Sequence, residues 1–171
     1  MFIWSEFLRR KRNARYYQRI AIEKALAAIL GGQKRCLLTL ATGTGKTAVA
    51  FQICWKLWSA LWNASGTPTR KPRILFLADS NKHVDDQMAK DFAPFGLARH
   101  KNEGKAERAR EMDFAPYQSL AGGENRPALF DRYPPDCFDL VVIDECHRGS
   151  ARDESRWCDI LHHFAPRISS A

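Results

Sequence analysis

The chain has 171 residues, enough for one well-cored α/β domain and too few for two of ordinary size. Its net charge of +8 is concentrated at the front, where Arg9, Arg10, Lys11, Arg12, Arg15 and Arg19 face Glu6 alone; such a run can neutralise phosphates but reads first as a solvated terminus. Five cysteines at irregular spacing (Cys36, Cys54, Cys137, Cys146, Cys158) argue against a disulfide framework and for a reduced, cytoplasmic compartment.

No apolar run approaches the roughly 20 residues of a membrane span. The apolar start followed by basic residues reverses the order of a secretory signal. In chain order, Tyr16 to Leu30 carries apolar residues at helical spacing and stops at Gly31-Gly32. Cys36 to Leu40 reads as a buried strand and Thr47 to Trp62 as a helix. Asn63 to Pro72, rich in Ser, Gly, Thr and Pro, reads as a surface loop, and Arg73 to Ala78 as a second buried strand. A helix is expected from about His83 to Phe92, loop or frayed helix over 99–110, and a short strand from Glu111 to Tyr117. A Gly- and Pro-containing connection from Gly122 to Pro135 leads to Phe138–Ile143, a strand suited to burial on both faces. Asp153 to Phe164 closes with Trp157, Ile160, Leu161 and Phe164 at helical spacing. Strands alternating with helices in this way predict an α/β fold with a mainly parallel sheet flanked by helices.

Two segments carry chemistry. In Leu40-Ala41-Thr42-Gly43-Thr44-Gly45-Lys46-Thr47 the glycines permit positive φ, so that backbone N–H groups and the start of a helix can cradle a polyphosphate. Lys46 is then placed for the β- and γ-phosphates and the Thr47 hydroxyl for Mg²⁺. The strict phosphate-loop pattern has Gly where Leu40 stands. About a hundred residues later, Asp144-Glu145-Cys146-His147 follows the last strand. An acidic pair there points into the crevice where open α/β sheets bind ligands, with Asp144 suited to the Mg²⁺ shell and Glu145 to the attacking water. Cys146, His147, Cys158, His162 and His163 invite a zinc reading, but no close cysteine pair exists and two of these residues belong to the acidic box.

Gln18, the glycine loop, the strand ending Phe76-Leu77-Ala78-Asp79, Tyr117-Gln118-Ser119-Leu120 and the acidic box occur in an order that resembles the first motor domain of superfamily 2 helicases and translocases. RYYQRIAI from Arg15 to Ile22, FQICWKLW from Phe51 to Trp58, RILFLAD from Arg73 to Asp79, DFAPFG from Asp91 to Gly96 and FDLVVIDECHRGSA from Phe138 to Ala151 are similar to the restriction (motor) subunit of type I restriction enzymes. The resemblance implies a RecA-like P-loop NTPase fold and ATP-driven translocation on double-stranded DNA, with methylation and specificity subunits as partners. It implies an ATP and Mg²⁺ site made of Gln18 (reading adenine), Thr42, Gly43, Thr44, Gly45, Lys46, Thr47, Asp144 and Glu145, with His147 coupling nucleotide state to DNA.

Residues 1–13 then form a basic extension and 14–171 the first RecA-like domain, cut short after the acidic box. The nuclease and second motor domains of the family lie outside the chain, so a fragment with weak or no ATPase activity and weak, non-specific DNA binding is expected. A non-catalytic binding module, a non-functional remnant and a fragment of another superfamily 2 helicase are the alternatives. One departure touches DNA contact: where relatives have Arg, Asn and then apolar residues, this chain has Ser80-Asn81-Lys82-His83, which removes an Arg and sets Lys82 and His83 at places of apolar packing.

Overall fold

The computed structural model describes residues 14–41, 43–67, 69–78, 80–102, 110–122, 128–144 and 158–164. Helix α1 (Tyr16–Leu30) closes its first turn with the Gln18 side chain, whose Oε1 accepts from the Arg15 N–H at 2.8 Å. Gly32, with φ +79°, lets the Gln33 N–H return to the Ala28 carbonyl at 2.9 Å and ends the helix. Helix α2 (Lys46–Ser59) packs along α1, burying Val49, Ile53 and Leu57 against Ile22 and Ala25.

Four parallel strands form one sheet in the order β2-β3-β1-β4: β1 (Ile74–Ala78), β2 (Arg99–Lys101), β3 (Met112–Pro116) and β4 (Leu140–Ile143). The alternation of β1 sorts its side chains between two cores. Ile74, Phe76 and Ala78 join Phe51 and Cys54 of α2 with Val84, Phe92, Phe95, Met112 and Phe114, while Leu75 and Leu77 face Leu120, Tyr133, Phe138, Ile160 and Phe164. The first core is aromatic: Phe76 meets Phe92 edge-on at 5.0 Å, and Phe51 meets Phe92 likewise at 5.5 Å. Each such pair adds about 0.5–1.5 kcal/mol beyond area burial. Burial pushes the Cys54 thiol up to about 12, so this cysteine acts as a packing group.

Between β1 and β2 the chain makes α3 (Asn81–Asp86), capped by Ser80, then a π-helical turn over Gln87–Asp91 and a 3-10 segment over Ala93–Ala98. Of the two basic residues noted in this segment, Lys82 is exposed and His83 is half-buried, while Val84 beside them is fully buried. A short helix, α4 (Tyr117–Ala121), follows β3, and residues 158–163 form α5, where Ile160 is buried as its spacing predicts. Trp157 lies outside the described residues.

Three sequence expectations are corrected. Cys36 to Leu40 forms no strand: Leu37 is 80% exposed, and only Leu40 packs inward, against the α1–α2 cluster. Apolar composition supplies propensity, but a strand also needs a neighbour in register, and the described sheet ends at β4 without pairing to this run. For the same reason β4 is half-buried along its length and not sealed on both faces. Residues 99–101, expected as loop or frayed helix, form the edge strand β2; the Arg-His-Lys triplet has no strand-like alternation, and its conformation comes from pairing with β3.

At the amino end of the sheet Asp139 joins a loop to the β4 segment. Its carboxylate accepts from both terminal nitrogens of Arg70, at 2.7 and 2.8 Å, and from the N–H groups of Ala64 and Arg73 at 2.9 and 2.8 Å. Asn63 braces the same loop by donating to the carbonyls of Thr67 and Arg70. Burial alone would raise the Asp139 pKa, but the hydrogen bonds from Arg70 and from the backbone of Arg73 and Ala64 outweigh it and hold the carboxyl below its ordinary range. A depressed carboxyl pKa stabilises the fold above the unfolded value near ~3.9, and that contribution disappears as pH falls through the folded value. Asp139→Ala is therefore expected to cost about 1–3 kcal/mol at neutral pH, since it leaves two backbone N–H groups and a partly exposed guanidinium without their carboxylate. Denaturant titrations between about pH 2 and 6 should show a shallower acid loss of stability in the variant than in the parent.

Candidate nucleotide site

The orientation of α2 sets the site. Its last turn lies at the amino end of the strands: Trp58 Nε1 donates to Glu111 Oε2 at 2.6 Å, and Glu111 in turn receives the Ile74 N–H on its carbonyl at 2.9 Å. Lys71 Nζ donates to the Trp58 carbonyl at 2.9 Å at the same end. Helix α2 thus runs against the strands and brings its N-terminus, with Lys46 and Thr47, to their carboxyl end. The positive end of the helix dipole faces the crevice there.

The loop before α2 has the backbone that its glycines foretell. Gly43 has φ +77°, and Gly45, the N-cap, has φ +84°. Thr44 folds back on the loop, its hydroxyl donating to the Ala41 carbonyl. Gln18 clamps the loop from the side: while its Oε1 caps α1, its Nε2 donates to the Thr44 carbonyl at 2.7 Å. Close packing follows, because a Cβ on Gly45 would lie 2.6 Å from Gln18 Nε2, whereas one on Gly43 would meet nothing within 4 Å among the described residues. A cleft of about 300 Å³ opens beside this clamp, lined by Arg15, Gln18, Ile22, Gly43 to Gly45, Ala48, Val49 and Gln52. Its mixed lining, apolar from Ile22, Ala48 and Val49 and polar from Arg15, Gln18 and Gln52, has room for a small planar group next to the glycine loop.

Asp144 stands at the carboxyl end of β4, where its N–H extends the ladder by donating to the Leu77 carbonyl at 2.9 Å. Its Oδ2 accepts from Gln87 Nε2 at 2.6 Å. Gln87 was not among the residues singled out from sequence; the available signal was a glutamine three residues after the buried Val84, on a helix face that should be apolar. The structure thus brings Gln18 together with Gly43, Thr44 and Gly45, and places Lys46, Thr47 and Asp144 at one end of the sheet. Thr42, Glu145 and His147 lie outside the described residues, as does Cys146. Of the residues in the zinc reading that are described, His163 is engaged with the fold, its Nε2 lying 2.8 Å from the Tyr133 carbonyl. The hydroxyl of Thr47 and the carboxylate of Asp144 are hard oxygen donors, a set that fits Mg²⁺.

The clamp can be tested by stability alone. Gly43→Ala should cost about 1–2 kcal/mol, from φ strain only. Gly45→Ala should cost more, because it adds the collision with the Gln18 amide, and Gln18→Ala should recover part of that excess in the double variant. Additive losses in thermal or denaturant unfolding would show that the two side chains do not meet.

Comparison with known proteins places this arrangement. The family described as type III restriction enzyme, res subunit, matches residues 11–169. The chain is 48% identical over 155 residues to the type I restriction enzyme EcoAI endonuclease subunit of Escherichia coli, covering 90% of this chain and 18% of that protein. It is 29% identical over 153 residues to the EcoKI endonuclease subunit of E. coli strain K12, covering 83% of this chain and 12% of that protein. The chain therefore spans less than a fifth of the length of these relatives. Among solved structures, a fragment of an HsdR subunit of a type I restriction enzyme from Vibrio vulnificus YJ016 superposes with TM-score 0.70 at 51% identity, covering 90% of this chain and 24% of that one. The UvsW helicase of bacteriophage T4, at 15% identity and TM-score 0.60 over 92% of this chain and 50% of that one, shares the fold. Similar in sequence and fold to part of type I HsdR subunits, and with the family match running through nearly all of its length, this RecA-like α/β chain belongs to the type III restriction enzyme, res subunit, family.

Proposed function

We propose that the chain binds ATP with Mg²⁺ and acts as the first motor domain of a DNA translocase of the type I restriction kind. Residues 14–171 would form that domain and residues 1–13 a basic extension. The observation that supports this most is the glycine loop at the start of α2, clamped by Gln18 at the sheet end where Asp144 stands. In this reading the N–H groups of Gly43 to Thr47 and the Lys46 ammonium hold the phosphates, with Thr42 completing the loop. Gln18 and the cleft beside it receive the adenine. Thr47 and Asp144 hold the metal, Glu145 orients the attacking water, and His147 passes nucleotide state to the DNA side. Bound Mg²⁺ supplies neutralisation of the charge that develops on the γ-phosphate.

Turnover needs more than this domain. In phosphoryl transfer an arginine supplied from elsewhere is worth about 10³–10⁵ in rate, and such motors draw theirs from a second domain. The described residues build one unit around a four-stranded sheet, so hydrolysis by this chain alone should stay near background and respond little to DNA. Double-stranded DNA would be held weakly and without sequence preference, through phosphates only, and methylation and specificity subunits would supply recognition in a complete enzyme.

Lys46→Ala should weaken binding of a fluorescent ATP analogue by about tenfold to a hundredfold, the worth of a charge-assisted hydrogen bond. Unchanged affinity would remove the loop from consideration. Removal of residues 1–12 should lower both DNA affinity and the slope of log affinity against log salt, measured on random and fixed duplexes; sequence-selective nanomolar binding at physiological salt would contradict the phosphate-only reading.

A further inference from the structure

Gln87 is a polar side chain on an apolar face. Val84, one turn earlier, is fully buried, and Met88 packs against the same aromatic core. Gln87 turns its amide into this surface, where Nε2 meets Asp144 Oδ2 at 2.6 Å and Oε1 is buried with no partner among the described residues. A buried acceptor left unmade costs about 1–3 kcal/mol, so fold stability alone favours leucine or methionine here. Backbone geometry is also arranged around this residue. The π-helical turn begins at Gln87, closed by the Phe92 N–H on the Gln87 carbonyl at 2.9 Å, and the Arg99 guanidinium donates to the Met88 carbonyl within it. The wide turn lets Phe92 drop into the core while Gln87 faces the end of β4. Such single π turns are frequent at functional sites.

We propose that Gln87 is a positioning residue for the Asp144 carboxylate, an inference that rests on the reading of Asp144 as a Mg²⁺ residue. A carboxylate at a strand end can rotate about two side-chain bonds. The donated hydrogen bond to Oδ2 fixes its plane before metal and nucleotide arrive, which is how partners behind a ligating carboxylate act in metal sites. Oε1, with no partner among the described residues, is the counterpart of that orientation.

The test uses the full chain with ATP, and Mn²⁺ as a paramagnetic stand-in for Mg²⁺, followed by electron paramagnetic resonance. Gln87→Leu and Gln87→Met should weaken Mn²⁺ binding in the presence of ATP by about tenfold or more. Affinity for an ATP analogue in EDTA should hold, and thermal stability should be kept or raised because the unmade acceptor is gone. Unchanged Mn²⁺ affinity in these variants, with nucleotide binding still dependent on Lys46, would overturn the role of Gln87 and leave the nucleotide site standing. Equal loss of affinity with and without metal, or failure of both variants to fold, would mark the amide as structural and likewise overturn it. No Mn²⁺–ATP binding by the parent chain would overturn the nucleotide site, and the positioning role with it.

Discussion

The side-chain amide of Gln18 holds the glycine loop to the helix beside it, and the geometry of the candidate site depends on that clamp. The segment that leads into the loop, residues 36–40, has no place in the sheet, so the loop does not inherit its position from a strand. It is fixed by the apolar seam between α1 and α2, where Ile22 and Ala25 meet Val49, Ile53 and Leu57, and by the bond from Gln18 to the Thr44 carbonyl. The same amide caps α1 through Arg15. One side chain thus sets the end of a helix, the path of the loop and one wall of the cleft, and Gly45 must be glycine for that approach to be possible.

The two ends of the sheet are built on different terms. At the amino end Asp139 satisfies two backbone N–H groups and both terminal nitrogens of Arg70, and Asn63 closes the loop above it. At the carboxyl end the polar groups are less well served. Gly43 and Gly45 sit at positive φ in the loop, Gln87 donates to Asp144, and Gln87 Oε1 is buried with no partner among the described residues.

Much of this was legible in the sequence because it is local. The glycine φ values, the start of α2 and the end of α1 follow from residue types over a few positions, and the unbroken apolar run from Ile74 to Ala78 announced a buried strand. What was not legible depends on which segments pair. Cys36 to Leu40 and Arg99 to Lys101 exchanged roles: the apolar run stayed out of the sheet and the charged triplet entered it, since strand pairing is decided by neighbours and not by composition. Gln87 escaped notice because its partner is 57 residues away and its π turn follows no simple period.

The central claim is that the loop clamped by Gln18 and the carboxylate of Asp144 form one Mg²⁺–ATP site at the carboxyl edge of the sheet. A crystal structure of the full chain grown with Mg²⁺ and a non-hydrolysable ATP analogue tests it most directly. The account predicts phosphates on the N–H groups of Gly43 to Thr47, the base in the cleft beside Gln18 and Ile22, and the metal between Thr47 and Asp144. Nucleotide bound anywhere else, or a metal with no contact to Asp144 either direct or through its waters, would contradict it.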